Sequence, residues 1–199
     1  MRCIIDDLRR ILDDNIYGIL EMRVNIMKKI AIISGTVRPN SNTLKVAEWL
    51  KKKTDNEPNI YELVDLMDFN LPHYNEPVSP KSVVEYLHPE TQKWSEAIKQ
   101  YDAYIFVIPE YNGFFPGVVK DAVDFLYHEW SNKLFGLVGI GGKGGIWACN
   151  HLKTLLERFD MNHVETIGVT SPWTSIDQDG NIDESALTKP LESLLKKFR

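Results

Sequence analysis

The chain has 199 residues, 43% hydrophobic and 26% charged, which suits one domain with a sizeable core and excludes a disordered or fibrous chain. Its formal net charge is -5 and no basic block is longer than Lys51-Lys52-Lys53, so the footprint of a nucleic-acid binder is absent and any anionic ligand must be held by local donors. Two distant cysteines, Cys3 and Cys149, make neither a disulfide framework nor a zinc site, and no apolar run approaches the roughly 20 residues of a bilayer span; a cytoplasmic chain with no membrane partner is expected.

Residues 1–26 stand apart. Ile4, Ile5, Leu8, Ile11 and Leu12 offer a turn or two of amphipathic helix among many charges, but the first strand begins only after Met27-Lys28-Lys29. The expected division is a dispensable N-terminal extension over 1–26 and one domain over 27–199.

The apolar run 30–33 breaks into Ser34-Gly35-Thr36-Val37-Arg38-Pro39-Asn40-Ser41, and 44–50 then carries apolar residues at helical spacing, the pattern of a buried strand feeding a helix. A helix start exposes unpaired N–H groups and the positive end of its dipole, so Asn42, Thr43 and Leu44 would aim donors into the loop. Thr36, Ser41 and Thr43 add hydroxyls and Arg38 a charged planar fork, a set suited to one phosphate. A plainer reading stands beside it, with Ser41 or Asn42 capping the helix and Arg38 in solvent.

A short strand is expected over 60–66, followed by a long Pro-rich segment over 67–89 of the kind that is functional or mobile. A helix over 91–100 leads to the nearly all-apolar 103–108, the mark of a central parallel strand. Then come Pro109-Glu110-Tyr111-Asn112-Gly113-Phe114-Phe115-Pro116-Gly117 and a helix with Val118, Val119, Ala122 and Val123 on one face. The turn's prolines and glycines fix a loop whose amides can face a ligand, while Tyr111, Phe114 and Phe115 offer flat apolar surface to a planar, polar-edged ring.

A fourth strand over 134–140 ends in Gly141-Gly142-Lys143-Gly144-Gly145. Residues 139–144 match G-x-G-x-x-G, the dinucleotide fingerprint, but after the fourth strand instead of the first, and Asp160 falls at a helix end where a ribose-binding acid would close the next strand. The preferred reading has these glycines letting backbone lie against the edge of a ring. Cys149 belongs to the core side of the following helix. A fifth strand over 163–169 and a closing helix with Leu191, Leu194, Leu195 and Phe198 complete a five-stranded parallel α/β sheet. Its turns after strands one, three and four should converge on one site.

These motifs resemble the NADPH-dependent FMN reductase family: Gly35-Thr36 with Arg38-Pro39-Asn40-Ser41, Pro109-Glu110-Tyr111-Asn112-Gly113 with Pro116-Gly117-Val118-Val119-Lys120-Asp121-Ala122-Val123-Asp124-Phe125-Leu126, and Gly-Gly-Lys-Gly-Gly. The resemblance runs from about residue 28 to 169. It implies a flavodoxin-like doubly wound sheet of order 2-1-3-4-5 with helices on both faces, bound FMN, and NADPH or NADH as electron donor. A quinone, azo compound, free flavin or similar small molecule would be the acceptor, and the chain a homodimer or homotetramer. By the same resemblance Thr36, Arg38, Ser41, Asn42 and Thr43 hold the FMN phosphate, Pro109, Glu110, Tyr111, Asn112 and Gly113 line the flavin ring, and Gly141, Gly142 and Lys143 approach one of its edges. The chemistry belongs to FMN, so no protein residue is assigned as catalytic, and no metal is expected. Two departures stand out: Phe114-Phe115 after P-E-Y-N-G, and Asp121 where Asn is usual. Trp94, Tyr127, His128 and Trp130 are candidate subunit contacts. The rival from another class is a flavodoxin-type electron carrier that binds FMN without turning over NAD(P)H.

Overall fold

The computed structural model describes residues 27–199 except Val84. The expectations for 1–26 and for Cys3 lie outside the described residues. Five strands, β1 (Lys29–Ser34), β2 (Ile60–Asp65), β3 (Ala103–Pro109), β4 (Leu134–Gly141) and β5 (Asn162–Thr170), form one sheet in the order 2-1-3-4-5. Every adjacent pair is parallel. The helices are α1 (Asn42–Lys53), α2 (Pro89–Ile98), α3 (Gly117–Asp124), α4 (Ile146–Glu157), α5 (Pro172–Ser175) and α6 (Leu191–Leu195).

Alternation along β1 divides the core. Ile30 and Ile32 face the layer of Val46, Ala47 and Leu50 from α1 and Leu194, Leu195 and Phe198 from the C-terminus. Ala31 and Ile33 face the layer of Trp94, Ile98, Val119, Val123, Cys149 and Leu152 from α2, α3 and α4. Strand β3 is buried throughout, as its nearly all-apolar run requires, and its one polar group, the Tyr104 hydroxyl, donates to the Ile98 carbonyl at 3.0 Å. Trp94 and Trp130 belong to this core and are unavailable as subunit contacts. Their indole N–H groups donate to the carbonyls of Ala122 at 2.8 Å and Val123 at 3.1 Å, which lets two large amphipathic rings sit without exposure. Tyr127 and His128 remain at the surface.

The 67–89 segment is held against the α3 side. Asp121, in the helix position where Asn was usual, accepts the Tyr74 N–H at 3.0 Å and lies 3.1 Å from Nδ1 of His73. Glu76 accepts the N–H groups of Leu87 and His88, and the Tyr86 hydroxyl donates to Glu129 at 3.0 Å.

Candidate functional site

Strand order reverses between β1 and β3, where the C-terminal ends of the strands leave a crevice. The β1, β3 and β4 turns converge there as expected, and the turn after β5 joins them. Together they line a cleft of about 330 Å³ formed by 38–43, 109–111, 140–142 and 172–173.

The first turn does two jobs. Ser41 is the N-cap of α1, and its Oγ accepts the Leu44 N–H at 3.1 Å, so Leu44 has no donor left for a ligand. The N–H groups of Asn42 and Thr43 have no acceptor among the described residues and open onto the cleft beside Arg38. Ser41 therefore caps the helix start and leaves two of its backbone donors unpaired beside the cleft. Thr36 is nearly inaccessible, at 2% exposed. Its Oγ1 accepts the Arg38 N–H at 3.3 Å and lies 3.2 Å from the Tyr111 hydroxyl. The Arg38 guanidinium stands 5.6 Å from the centre of the Tyr111 ring.

The second turn is a two-residue hairpin. Tyr111 and Phe114 exchange backbone bonds of 2.8 and 3.1 Å, while Asn112 at φ 54° and Gly113 at φ 80° occupy the left-handed region that such a reversal needs. The Asn112 and Gly113 N–H groups have no acceptor among the described residues. Phe114 stays half in solvent, stacked 4.4 Å from the ring of His151, but Phe115 turns inward and is buried, so only Tyr111 and Phe114 present aromatic surface. Glu110 lines the cleft with part of its surface, yet its carboxylate accepts the Trp147 and Ala148 N–H groups at 3.0 and 3.4 Å. It supplies the cap that Gly145 cannot.

That contact bears on the G-x-G-x-x-G match. In a dinucleotide site the helix start receives a pyrophosphate; here it receives a protein carboxylate. The glycines also divide. A methyl group on Gly139 would meet the Gly144 oxygen at 2.4 Å, and one on Gly168 would meet the same oxygen at 2.5 Å, so this part of the turn is packed on the protein's own sheet. Of this turn Gly141 and Gly142 line the cleft, and Lys143 is exposed outside its lining. Thr36, Asn112 and Gly113 likewise lie beside the cleft without lining it.

Cys149 is buried in the α4 face, and its thiol is pushed up to about 12 by burial and by the nearby Glu110 carboxylate; this is a core sulfur and no nucleophile at neutral pH. Among the described residues no group of His, Cys, Asp and Glu side chains is arranged to hold a metal. Periodicity gave no sign of Pro39, Asn40, Ile140, Pro172 or Trp173 as cleft residues; the only available signal for the last pair was a large aromatic directly after the fifth strand.

A family model described as NADPH-dependent FMN reductase matches residues 28–173. An NAD(P)H-dependent FMN reductase of Nectria sp. is 43% identical over 138 residues, 66% of this chain and 68% of its own length. One from Schizosaccharomyces pombe is 35% identical over 182 residues, 89% of this chain and 90% of its own. A quinone reductase of Pseudomonas putida is 31% identical over 140 residues, 66% of this chain and 71% of its own. In structure the chain is similar to FerB, a flavoenzyme NAD(P)H:(acceptor) oxidoreductase from Paracoccus denitrificans, with a TM-score of 0.62 and 24% identity over 86% of this chain and 93% of that one. With the family model spanning most of the domain and the P-E-Y-N-G hairpin and anion loop meeting at one cleft, the chain belongs to the NADPH-dependent FMN reductase family.

Proposed function

We propose that this chain passes reducing equivalents from NADPH or NADH, by way of FMN held in the cleft between the β1, β3 and β4 turns, to a small-molecule acceptor such as a quinone, an azo compound or free flavin. The observation that carries this reading is the pairing, in one cleft, of the free Asn42 and Thr43 amides and Arg38 with the hairpin headed by Tyr111. The first set suits a phosphate, and the second suits a planar ring with polar edges.

Bound FMN supplies the hydride and electron chemistry. The protein's part is binding and orientation. Asn42 and Thr43 donate backbone N–H groups to the phosphate, and Arg38 completes its charge balance. Tyr111 fixes the distance between the phosphate loop and the ring loop through its contact with Thr36. The unpaired hairpin amides of Asn112 and Gly113 stand beside the cleft, next to Tyr111 of its lining, and would add donors at its mouth to a reduced ring that reached them. Gly141 and Gly142 contribute bare backbone to the β4 side of the cleft, and the Glu110 carboxylate holds that side in place through α4.

Family membership favours an enzyme over a flavodoxin-type carrier. We place the protein in the cytoplasm as a homodimer or homotetramer, with no nucleic-acid or membrane partner. No helix among the described residues is long and apolar enough to cross a membrane. The direct test of the site is Arg38→Ala with FMN titrated into the apoprotein. Removing one charge-assisted phosphate contact should weaken FMN by about 10- to 100-fold. Wild-type affinity in that variant would refute the assignment of the phosphate to this loop.

A further inference from the structure

Burying an indole is among the larger gains a side chain can make on folding, yet Trp173 is 69% exposed. Its backbone is held firmly. Ser171, at φ 46°, turns the chain into α5, with Pro172 at the first helical position. The Thr174 N–H and hydroxyl both donate to the Ser171 carbonyl, at 2.9 and 3.1 Å, and the Ser175 hydroxyl donates to the carbonyls of Thr170 and Ser171. The Asn42 side-chain amide donates to the Pro172 carbonyl at 3.4 Å, tying this turn to the start of α1. The indole lies against Gly142, where a methyl group would meet its Cη2 at 3.3 Å. It lines the same cleft as Arg38 and Tyr111. An aromatic ring on an anchored backbone, exposed to solvent and beside unpaired helix-start amides, has the form of a wall for a ligand with an anionic end and a flat ring.

We propose that Trp173 is a stacking wall of this cleft, holding the flat heteroaromatic ring of a phosphate-bearing ligand. Two ligands of the reaction share that chemistry, the flavin of FMN and the rings of the nicotinamide dinucleotide. The proposal rests on the reading that the cleft holds FMN and adds a residue from the fifth turn to it.

The test uses Trp173→Ala and Trp173→Phe in the full chain. FMN affinity is measured on apoprotein by flavin fluorescence, and NADP⁺ affinity on FMN-loaded protein by equilibrium dialysis. Thermal melting and oligomeric state are followed in parallel. Loss of a ring–aromatic stack should weaken one ligand by about 5- to 100-fold in the alanine variant, with Phe restoring most of it and the melting temperature unchanged. A loss in the FMN arm assigns the wall to the flavin, and a loss confined to the NADP⁺ arm assigns it to the donor. Affinities within about twofold of wild type in both arms overturn the proposal, as does a change of oligomeric state without a change in either affinity. Wild-type apoprotein that takes up no FMN overturns the reading of the cleft and this proposal with it, whereas intact wild-type binding with an indifferent alanine variant overturns the proposal alone.

Discussion

The hydroxyl of Tyr111 lies 3.2 Å from Oγ1 of Thr36, joining the loop after β3 to the loop after β1 across 75 positions of sequence. The same Thr36 oxygen accepts the Arg38 N–H, so the ring loop, the phosphate loop and the one guanidinium of the cleft are mechanically coupled. A single neutral hydrogen bond nets about 0.5–1.5 kcal/mol. Tyr111→Phe, which keeps the ring and removes the bond, should therefore weaken FMN by about 2- to 10-fold in a fluorescence titration. Wild-type affinity in this variant would mean that the two loops are positioned independently.

Glu110 is predicted to matter for stability through the helix it caps. Glu110→Ala leaves the Trp147 and Ala148 N–H groups without their acceptor and removes a negative charge from the positive end of α4. The expected cost is about 1–2 kcal/mol, which for a chain of this size lowers the melting temperature by about 2–8 °C. Glu110→Gln, with an acceptor oxygen but no charge, should recover part of it. An unchanged melting curve for the alanine variant would contradict the capping role.

The thiol of Cys149 should be inert in the folded protein. Its pKa, pushed up to about 12 by burial and by Glu110, leaves almost no thiolate at neutral pH, and the sulfur sits in the core. Peptide mapping after iodoacetamide treatment should find Cys149 unlabelled in native protein and labelled after unfolding in denaturant. Rapid native labelling would show that α4 opens far more readily than its packing implies.

Acid stability has a traceable contributor at the C-terminus. Arg199 donates to Glu57 at 2.9 and 2.8 Å, and this hydrogen bonding holds the Glu57 carboxyl below its ordinary value of 4.5. The folded state thus binds this proton less readily than the unfolded chain. The stabilisation is present above the unfolded value and is lost as pH falls through the lowered folded one. Denaturant melts from about pH 7 to about pH 3 should show the gap between wild type and Arg199→Ala closing on the acid side. A gap constant across that range would contradict the linkage.

Much of the fold was legible because its signals are local. The apolar runs at 30–33 and 103–108 are short enough and sharply enough bounded to read as strands covered on both faces, and five strand segments alternating with helices leave few topologies. The cleft lining was legible where neighbours in one turn supply it, as at Arg38, Asn42 and Thr43. It was illegible where function depends on contacts between distant segments. Nothing near Glu110 in sequence says that its carboxylate serves α4, and nothing near Phe115 says that it turns inward while Phe114 does not. The glycine turn misled in part for the same reason: Gly144 is shaped by its approach to Gly139 and Gly168 of the sheet, which a linear motif cannot distinguish from an approach to a ligand. Trp173 escaped because exposure of an aromatic is a property of the folded surface and leaves no periodic trace.

The central claim, that this chain is an FMN enzyme reduced by a nicotinamide dinucleotide, is tested most directly by its visible absorption spectrum, recorded on purified protein before and after NADPH is added without oxygen. The account predicts flavin bands, present on purification or after FMN is added, that bleach with NADPH or NADH. A flavin spectrum that stays oxidised with both donors would contradict it and favour an electron carrier, and a colourless chain that takes up no FMN would remove the reading of the cleft altogether.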